Sequence, residues 1–594
     1  MIRPNKNSAI FKKETAILFF VLVITFFAFS SSLLSGFTNW DDELLVVDNP
    51  EIRSLDFNHI KTIFTSTASL GYIPLSIFSF AIEYHFFGLN PFVFHLDNLI
   101  LHLVVLALLF FFGLRLGLHA WASGLAVLLF GIHPMHVESV AWISERKDVL
   151  YAIFYLLALH SHWSYLETRK KSFYALIILY GLLSMLAKPM ALSLPLILGV
   201  LDWMKGRKFT LNVVWEKIPH FLYIIPLTLI TYRIHAQPVQ SSLGEGLLTW
   251  IWCSVFYIWK FFFPFPVVPL YSRPEPVSLL NPVYLMAIVS LIAFVGIAIR
   301  FRAYRWLFFA WLFYFFSIFF LFHFDLSEHK IVSDRYMYLP SVGFCFLFGS
   351  VVHDALGRLK KRKDRRIVLV MVCLAVLFGA LSVKTFFQCR VWKDSLTLWF
   401  EMLRYNPKSA FAFYNRAKAY ESEKRFDLAE ADYDTTIALS PKVALPYNNR
   451  GITRAYQGRE DEAMKDFNKT IELDPEYAEG YSNRAYLYYN LEQYEPALAD
   501  LNKALELKPD YIKGYSNRAL VRAALGRLDL ALKDFNRAIE IDPSIAGLYY
   551  HRSLVYADMK NFEAARTDAK KAQAMGYSDI DRYMERLRQY DLSK

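Results

Sequence analysis

Proline recurs at Pro407, Pro441, Pro475, Pro509 and Pro543, a spacing of 34 residues held without insertion or deletion. Ala429, Ala463, Ala497, Ala531 and Ala565 keep the same period, as do the pairs Asn415-Arg416, Asn449-Arg450, Asn483-Arg484, Asn517-Arg518 and His551-Arg552. Self-similarity at this period means stacked supersecondary units, none of which buries its apolar face alone. Small residues where helices cross and a proline closing the second helix make the unit a helix pair. Residues 409–542 therefore hold four complete units, residues 543–576 a fifth, and a degenerate one precedes Pro407. The charged tail past Tyr577 reads as a solvating cap.

The period is that of the tetratricopeptide repeat, whose stacked pairs curve around a groove. Asn415, Asn449, Asn483 and Asn517 fall at one phase and are expected to line it, where side-chain amides suit an extended peptide. The other reading has these amides capping neighbouring backbone in a pure scaffold. Curvature itself makes a binding surface, which favours a polypeptide acceptor or protein partner.

Ahead of the array the chain changes character. Of 594 residues 55% are hydrophobic, and the mean hydropathy of +0.27 marks an integral membrane protein. Apolar runs suited to crossing a bilayer lie near 18–34, 92–114, 118–132, 149–165, 173–187, 190–201, 219–234, 282–298, 306–322, 336–352 and 368–385. The first has no persuasive cleavage site and reads as a retained anchor. The net charge of +11 is carried largely by clusters between runs (Arg169-Lys170-Lys171, residues 205–208 and 360–366), together with Arg3, Lys6, Lys12 and Lys13 at the start. That distribution is the positive-inside pattern and argues against a nucleic-acid partner. A further run, residues 250–263, would put the basic residues 300–305 outside if it crossed. Read as re-entrant, it leaves every basic cluster cytoplasmic and about 11 spans. The expected fold is all-α: a polytopic transmembrane helix bundle over 1–385, a linker with the degenerate repeat over 386–408, and an α-solenoid over 409–594, outside the cytoplasm.

Three polar stretches fall on that outer side. Asn39-Trp40-Asp41-Asp42-Glu43 directly follows the first span, so its height at the surface is fixed. Residues 133–148 hold His133, His136, Glu138, Arg146 and Lys147, too charged for an idle turn. Ser333-Asp334-Arg335 opens a late span, and Lys188 sits between two apolar runs, where an unpaired cation is costly. Asp41 and Asp42 are suited to general-base work, though adjacent aspartates are also common in solvated turns. Arg146 and Lys147 are suited to a phosphate, and Arg335 supplies another arginine at the same water interface. His133, His136 and Glu138 are possible metal ligands at no recognised metal-helix spacing, so a divalent cation stays open. His95, Asn98 and His102 share one helix face in the second span, where ligand contact competes with interhelical hydrogen bonding. The four cysteines form no metal-like pair and imply no disulfide framework.

Taken together, Asn39-Trp40-Asp41-Asp42, residues 133–148 and Asp334-Arg335-Tyr336-Met337-Tyr338-Leu339-Pro340, followed by the repeats, resemble one family. The chain resembles the transmembrane and tetratricopeptide-repeat proteins, similar to protein O-mannosyltransferases of the GT-C class. The resemblance implies an inverting glycosyltransferase that moves a sugar, a hexose such as mannose, from a polyprenyl-phosphate donor to a protein hydroxyl on the extracytoplasmic side. It implies Asp41 or Asp42 as the base, Glu138 orienting the acceptor or a metal, and Arg146, Lys147, Lys188 and Arg335 on the phosphate. An array shorter than in the endoplasmic-reticulum members points to a bacterial inner membrane. The competing reading is a membrane-anchored repeat scaffold without catalysis, for which one span would suffice.

Overall fold

Apolar runs of this length become helices because only hydrogen bonds within the segment satisfy the backbone in lipid. The computed structural model describes residues 6–66, 71–235, 243–319, 332–578 and 580–592, and these are helical apart from loops and one isolated bridge between Tyr271 and Val332. The chain divides into two units, Met1–Pro407 and Lys408–Lys594.

In the first unit six helices are long and apolar enough to cross a membrane: Lys13–Leu34, Pro91–Arg115, Leu211–Ile234, Pro282–Arg300, Val342–Lys361 and Arg366–Trp392. A seventh forms if Ala120–Gly131 and Pro134–Ala141, bent by 55° at their junction, count as one. The unit is that of a multi-pass membrane protein. The 11 crossings expected from the sequence are not all among these, for local reasons. Arg146–Thr168 is continuous over 23 residues but carries Arg146, Lys147, Asp148, Glu167 and two histidines. Lys188-Pro189 divides one apolar stretch into the short helices Lys171–Ala187 and Pro189–Met204. The run at 306–322 is helical as Arg305–Ile318, and its last residues lie outside the described ones, as does Arg3.

Residues 250–262 belong to the helix Leu243–Phe262, and Phe263 follows its end. Tyr284, in the first turn of Pro282–Arg300, donates its hydroxyl to Pro274 O at 2.8 Å and also meets Thr249. Thr249, within Leu243–Phe262, and Pro274, past its end, therefore both meet the first turn of Pro282–Arg300. Arg366–Cys389 returns to the end that carries Asp41: Thr385 Oγ1 donates to Ile132 O at 2.7 Å, and Gly36 N to Lys393 O at 2.8 Å.

The second unit is five helix pairs, from Ala410–Ser422 with Phe426–Leu439 to Ala546–Asp558 with Phe562–Ala574, and a last helix Asp581–Leu592. Each pair turns on one left-handed residue, Lys424, Gly458, Glu492, Gly526 or Lys560, again 34 apart. The following N–H closes on the carbonyl five residues back, as Arg425 N does on Tyr420 O at 2.8 Å, a helix C-cap arrangement. The periodic alanines are fully buried between the paired helices. The repeated arginines act through a partner the sequence reading passed over. Arg416, Arg450, Arg484, Arg518 and Arg552 each make a forked pair of bonds to an aspartate 16 residues on: Asp432, Asp466, Asp500, Asp534 and Asp568. From Arg450 onward each also donates back to the preceding repeat, at Asp434, Asn468, Asn502 and Asn536.

Candidate functional site

The turn after the first span is set by Asp42. Its Oδ2 accepts from Thr38 N at 2.9 Å and Thr38 Oγ1 at 3.0 Å, and its Oδ1 accepts from Ser144 N at 2.9 Å and from Ser144 Oγ. Burial pushes the Asp42 carboxyl up to about 6, against the downward pull of these donors. One residue earlier, Trp40 lies among Trp142, Trp392 and Trp399, with ring centroids 4.8, 6.1 and 5.3 Å away. Trp399 Nε1 donates to Asn39 Oδ1 at 2.6 Å, and Asn39 N donates to Ser395 Oγ at 2.8 Å. These contacts hold the backbone on both sides of Asp41, while Asp41 itself has, among the described residues, a single ion-pair contact, Lys147 Nζ at 3.6 Å.

Below Asp41 the charges interlock around Glu145. Its carboxylate meets Lys147 at 3.0 Å, Lys188 at 3.2 Å and Arg335 at 3.3 Å. Burial alone would raise the Glu145 carboxyl, but these three cations hold it well below the usual carboxylate range. Lys188 also binds Asp148, whose other oxygen accepts from Ser139 at 2.9 Å. Arg335 pairs through Nη1 with Glu138 and donates its backbone N–H to the same carboxylate at 3.2 Å. Four carboxylates and three cations thus form one network. Side-chain exposure rises from 0% at Asp148 and 1% at Glu145, through 10% at Arg335 and 13% at Lys147, to 18% at Asp41. The network opens at Asp41 and Lys147.

Of the expected residues, the structure brings together Asp41, Glu138, Lys147, Lys188 and Arg335, with Asp42 supporting the turn. Arg146 faces elsewhere. It donates to Asn98 Oδ1 at 2.7 Å, Glu83 Oε2 at 2.6 Å and Phe94 O at 3.0 Å, packed over Phe80 and Phe94. The histidines tie backbone and helices. His95 Nε2 donates to Gly36 O at 3.3 Å and His102 Nε2 to Gly131 O at 3.2 Å. His133 Nε2 donates to Phe261 O at 3.0 Å and His136 Nδ1 to Phe130 O at 2.7 Å. Among the described residues no three His, Cys, Asp or Glu are grouped to hold a metal ion. In the repeats, Asn449, Asn483 and Asn517 donate to Tyr414, Asn448 and Ser482, each 35 residues upstream, and Asn415 to Phe411 O. Sequence reasoning missed Glu145 and Asp148 as the network's centre, and missed Trp392, Ser395 and Trp399. The acidic pair was signalled by its position beside Lys147; the other three carry no local signal.

Family models described as tetratricopeptide repeat or TPR repeat match residues 412–443, 453–492, 478–511, 512–545 and 546–575. Human protein O-mannosyl-transferase TMTC3 is 25% identical over 470 residues, covering 67% of this chain and 48% of its own length. The chain is similar to the protein O-mannosyl-transferases. Human TMTC1 is 24% identical, with 67% of this chain and 52% of the relative covered. The Caenorhabditis elegans protein O-mannosyl-transferase F38B6.6 is 25% identical, covering 69% and 60%. The chain spans about half the length of the curated relatives it matches. Among solved structures, the TPR protein YrrB is 24% identical with a TM-score of 0.27, covering 34% of this chain and 100% of YrrB.

Proposed function

We propose that the chain is a membrane glycosyltransferase that moves a hexose, mannose by similarity to its relatives, from a polyprenyl-phosphate donor to a polypeptide hydroxyl on the extracytoplasmic side of a bacterial inner membrane. The observation that carries this reading is the contrast within the acidic pair. Asp42 spends both oxygens on four donors, whereas Asp41 sits at the open edge of a cationic network with one 3.6 Å contact. In the reaction the acceptor oxygen bonds to the anomeric carbon as the bond from that carbon to the phosphate oxygen breaks. The hydroxyl proton passes to Asp41, the polyprenyl phosphate leaves with one more negative charge, and the anomeric centre inverts. Lys147, between Asp41 and Glu145, stabilises the departing charge; Lys188 and Arg335 fix Glu145 and so the position of Lys147. Glu138 orients Arg335, and the repeat array recruits the polypeptide acceptor.

The test is transfer of labelled mannose from a polyprenyl-phosphate mannose to a Ser- and Thr-containing polypeptide by the purified full chain. Mass spectrometry of secreted proteins from strains with and without the gene should show the matching loss of hexose. No transfer from mannosyl, glucosyl or galactosyl donors, with no change in secreted proteins, would leave the membrane-anchored repeat scaffold as the reading.

A further inference from the structure

A second cationic feature lies outside the network around Glu145. Lys260, near the end of Leu243–Phe262, is 7% exposed, and its Nζ donates to Pro266 O above the ring of Tyr271, 4.5 Å from the centroid. Lys384, half-buried on Arg366–Cys389, places its Nζ 6.0 Å from the ring of the adjacent residue, Phe265. The same helix is fastened to this loop by Gln388 Nε2, which donates to Val267 O at 3.1 Å. Two ammonium groups are thus held on one loop, flanking consecutive residues.

Neither ammonium forms an ion pair with a carboxylate among the described residues. The carboxylate bearing on Lys260 is Asp334, whose Oδ2 is taken by the Tyr271 hydroxyl at 2.7 Å. Burial pushes the Asp334 carboxyl up to about 7, against the pull of Tyr271 and Lys260, so its charge answers Lys260 only in part. Glu401, which bears on Lys384, is paired with Arg404 at 3.6 Å. Like charges held together without counter-charge are costly at a membrane, and a lysine in that setting marks a place for an anion. The surroundings indicate which kind. Phe262, Phe263 and Phe265 are 60%, 59% and 62% exposed, an apolar surface continuous with the cationic one.

We propose that Lys260 and Lys384 seat the phosphate of a lipid headgroup, with Phe262, Phe263 and Phe265 against the first part of its chain. The seat follows from the two ammonium groups without carboxylate partners among the described residues, and it holds a lipid phosphate apart from Lys147, where the donor phosphate departs in the transferase reading above. A free phosphate shares the charge chemistry but gains nothing from the phenylalanines.

Binding of a short-chain polyprenyl monophosphate, of phosphatidylglycerol and of inorganic phosphate to the full chain in neutral detergent tests this, read by native mass spectrometry for the lipids and equilibrium dialysis for phosphate. Lys260→Gln with Lys384→Gln should weaken polyprenyl phosphate by about 10² to 10⁴, as expected for two lost charged hydrogen bonds. Lys260→Arg with Lys384→Arg should retain it, which separates lost charge from lost fold. Equal, lysine-dependent loss of phosphatidylglycerol supports the seat and assigns it to bulk lipid. Unchanged binding in the Gln variant, or inorganic phosphate bound as tightly as the lipids, overturns the proposal. Lysine-dependent lipid binding without sugar transfer by the wild type keeps the seat and refutes the transferase.

Discussion

Replacing Asp41 by Asn separates chemistry from folding more cleanly than any other change at the site. The side chain is 18% exposed and its one ion-pair partner, Lys147, is 3.6 Å away. The pair is partly buried and long, so its contribution lies between the about 0–1 kcal/mol of an exposed pair and the about 3–5 kcal/mol lost on breaking a fully buried one. Lys147 keeps Glu145 at 3.0 Å when Asp41 loses its charge, so the network has no reason to rearrange. The flanking contacts, Asn39 with Trp399 and Asp42 with Thr38 and Ser144, do not involve the Asp41 side chain. Thermal unfolding of Asp41→Asn should therefore stay within about 2 kcal/mol of wild type, short of the loss on breaking a fully buried pair. Loss of a positioned base typically costs about 10² to 10⁴ in rate, or about 3–5 kcal/mol of barrier. Single-turnover transfer of labelled sugar should fall by that factor with donor KM little changed. Asp41→Glu, which displaces the carboxylate by roughly one bond length, should recover only part, since misplacement of about 1 Å costs about 10². Wild-type transfer by Asp41→Asn would refute the assignment and move the search for the base to Glu138.

Asp42 should behave differently. Because burial raises its folded carboxyl to about 6 from 3.8, the native state holds the proton more tightly than the unfolded chain. Its contribution to stability is greatest at low pH and lost as pH rises from about 4 to about 6, by about 3 kcal/mol. The difference in thermal midpoint between wild type and Asp42→Asn should shift by that amount across the window; a pH-independent difference would contradict it. Lys188→Ala or Arg335→Ala should raise donor KM, lower kcat and also lower the unfolding midpoint, because each leaves buried carboxylates unpaired at a cost of about 3–5 kcal/mol. Asn449→Ala with Asn483→Ala should raise acceptor KM without affecting donor binding; unchanged acceptor KM with the array still folded would leave it a scaffold. Reporter fusions after Arg366 and after Trp392 should fall on opposite sides of the membrane, the second extracytoplasmic.

The repeats were legible because one period sets every local choice at once: the left-handed residue between helices, the buried alanine and the closing proline. The forked Arg–Asp pairs escaped notice because their 16-residue spacing links two helices and matches no helical face. At the candidate site the sequence singled out segments that the fold brings together, but not which neighbour points where. Arg146 and Lys147 are adjacent in sequence, yet successive helical side chains diverge by about 100°, so one enters the Phe80–Phe94 slot and the other the charged network. The shared face of His95, Asn98 and His102 was correctly inferred, but it is used for packing: Asn98 Nδ2 donates to Trp142 O at 3.1 Å, and the Tyr338 hydroxyl lies 2.6 Å from His102 Nδ1. Trp392 and Trp399 reach Trp40 across some 350 residues, a distance over which no local pattern speaks.

The energetic logic of the network follows from its burial. Charges removed from water return their desolvation cost only when geometry and hydrogen bonds are nearly complete. Glu145, at 1% exposure, is answered by three cations although its Oε1 makes no full hydrogen bond, and Asp148, at 0%, is answered by Lys188 and Ser139. The cost of holding Lys188 and Arg335 in place is thus met during folding, before any substrate arrives, which is what electrostatic preorganisation requires. Their positive charge is, however, largely answered by these same carboxylates. Among the described residues of the network, Lys147 is the cation shared between Glu145 and the sparsely bonded Asp41 at the open edge. In the proposed transfer Asp41 and Lys147 then sit side by side as base and phosphate-receiving cation, an adjacency that suits a displacement in which the acceptor loses its proton as the sugar loses its phosphate.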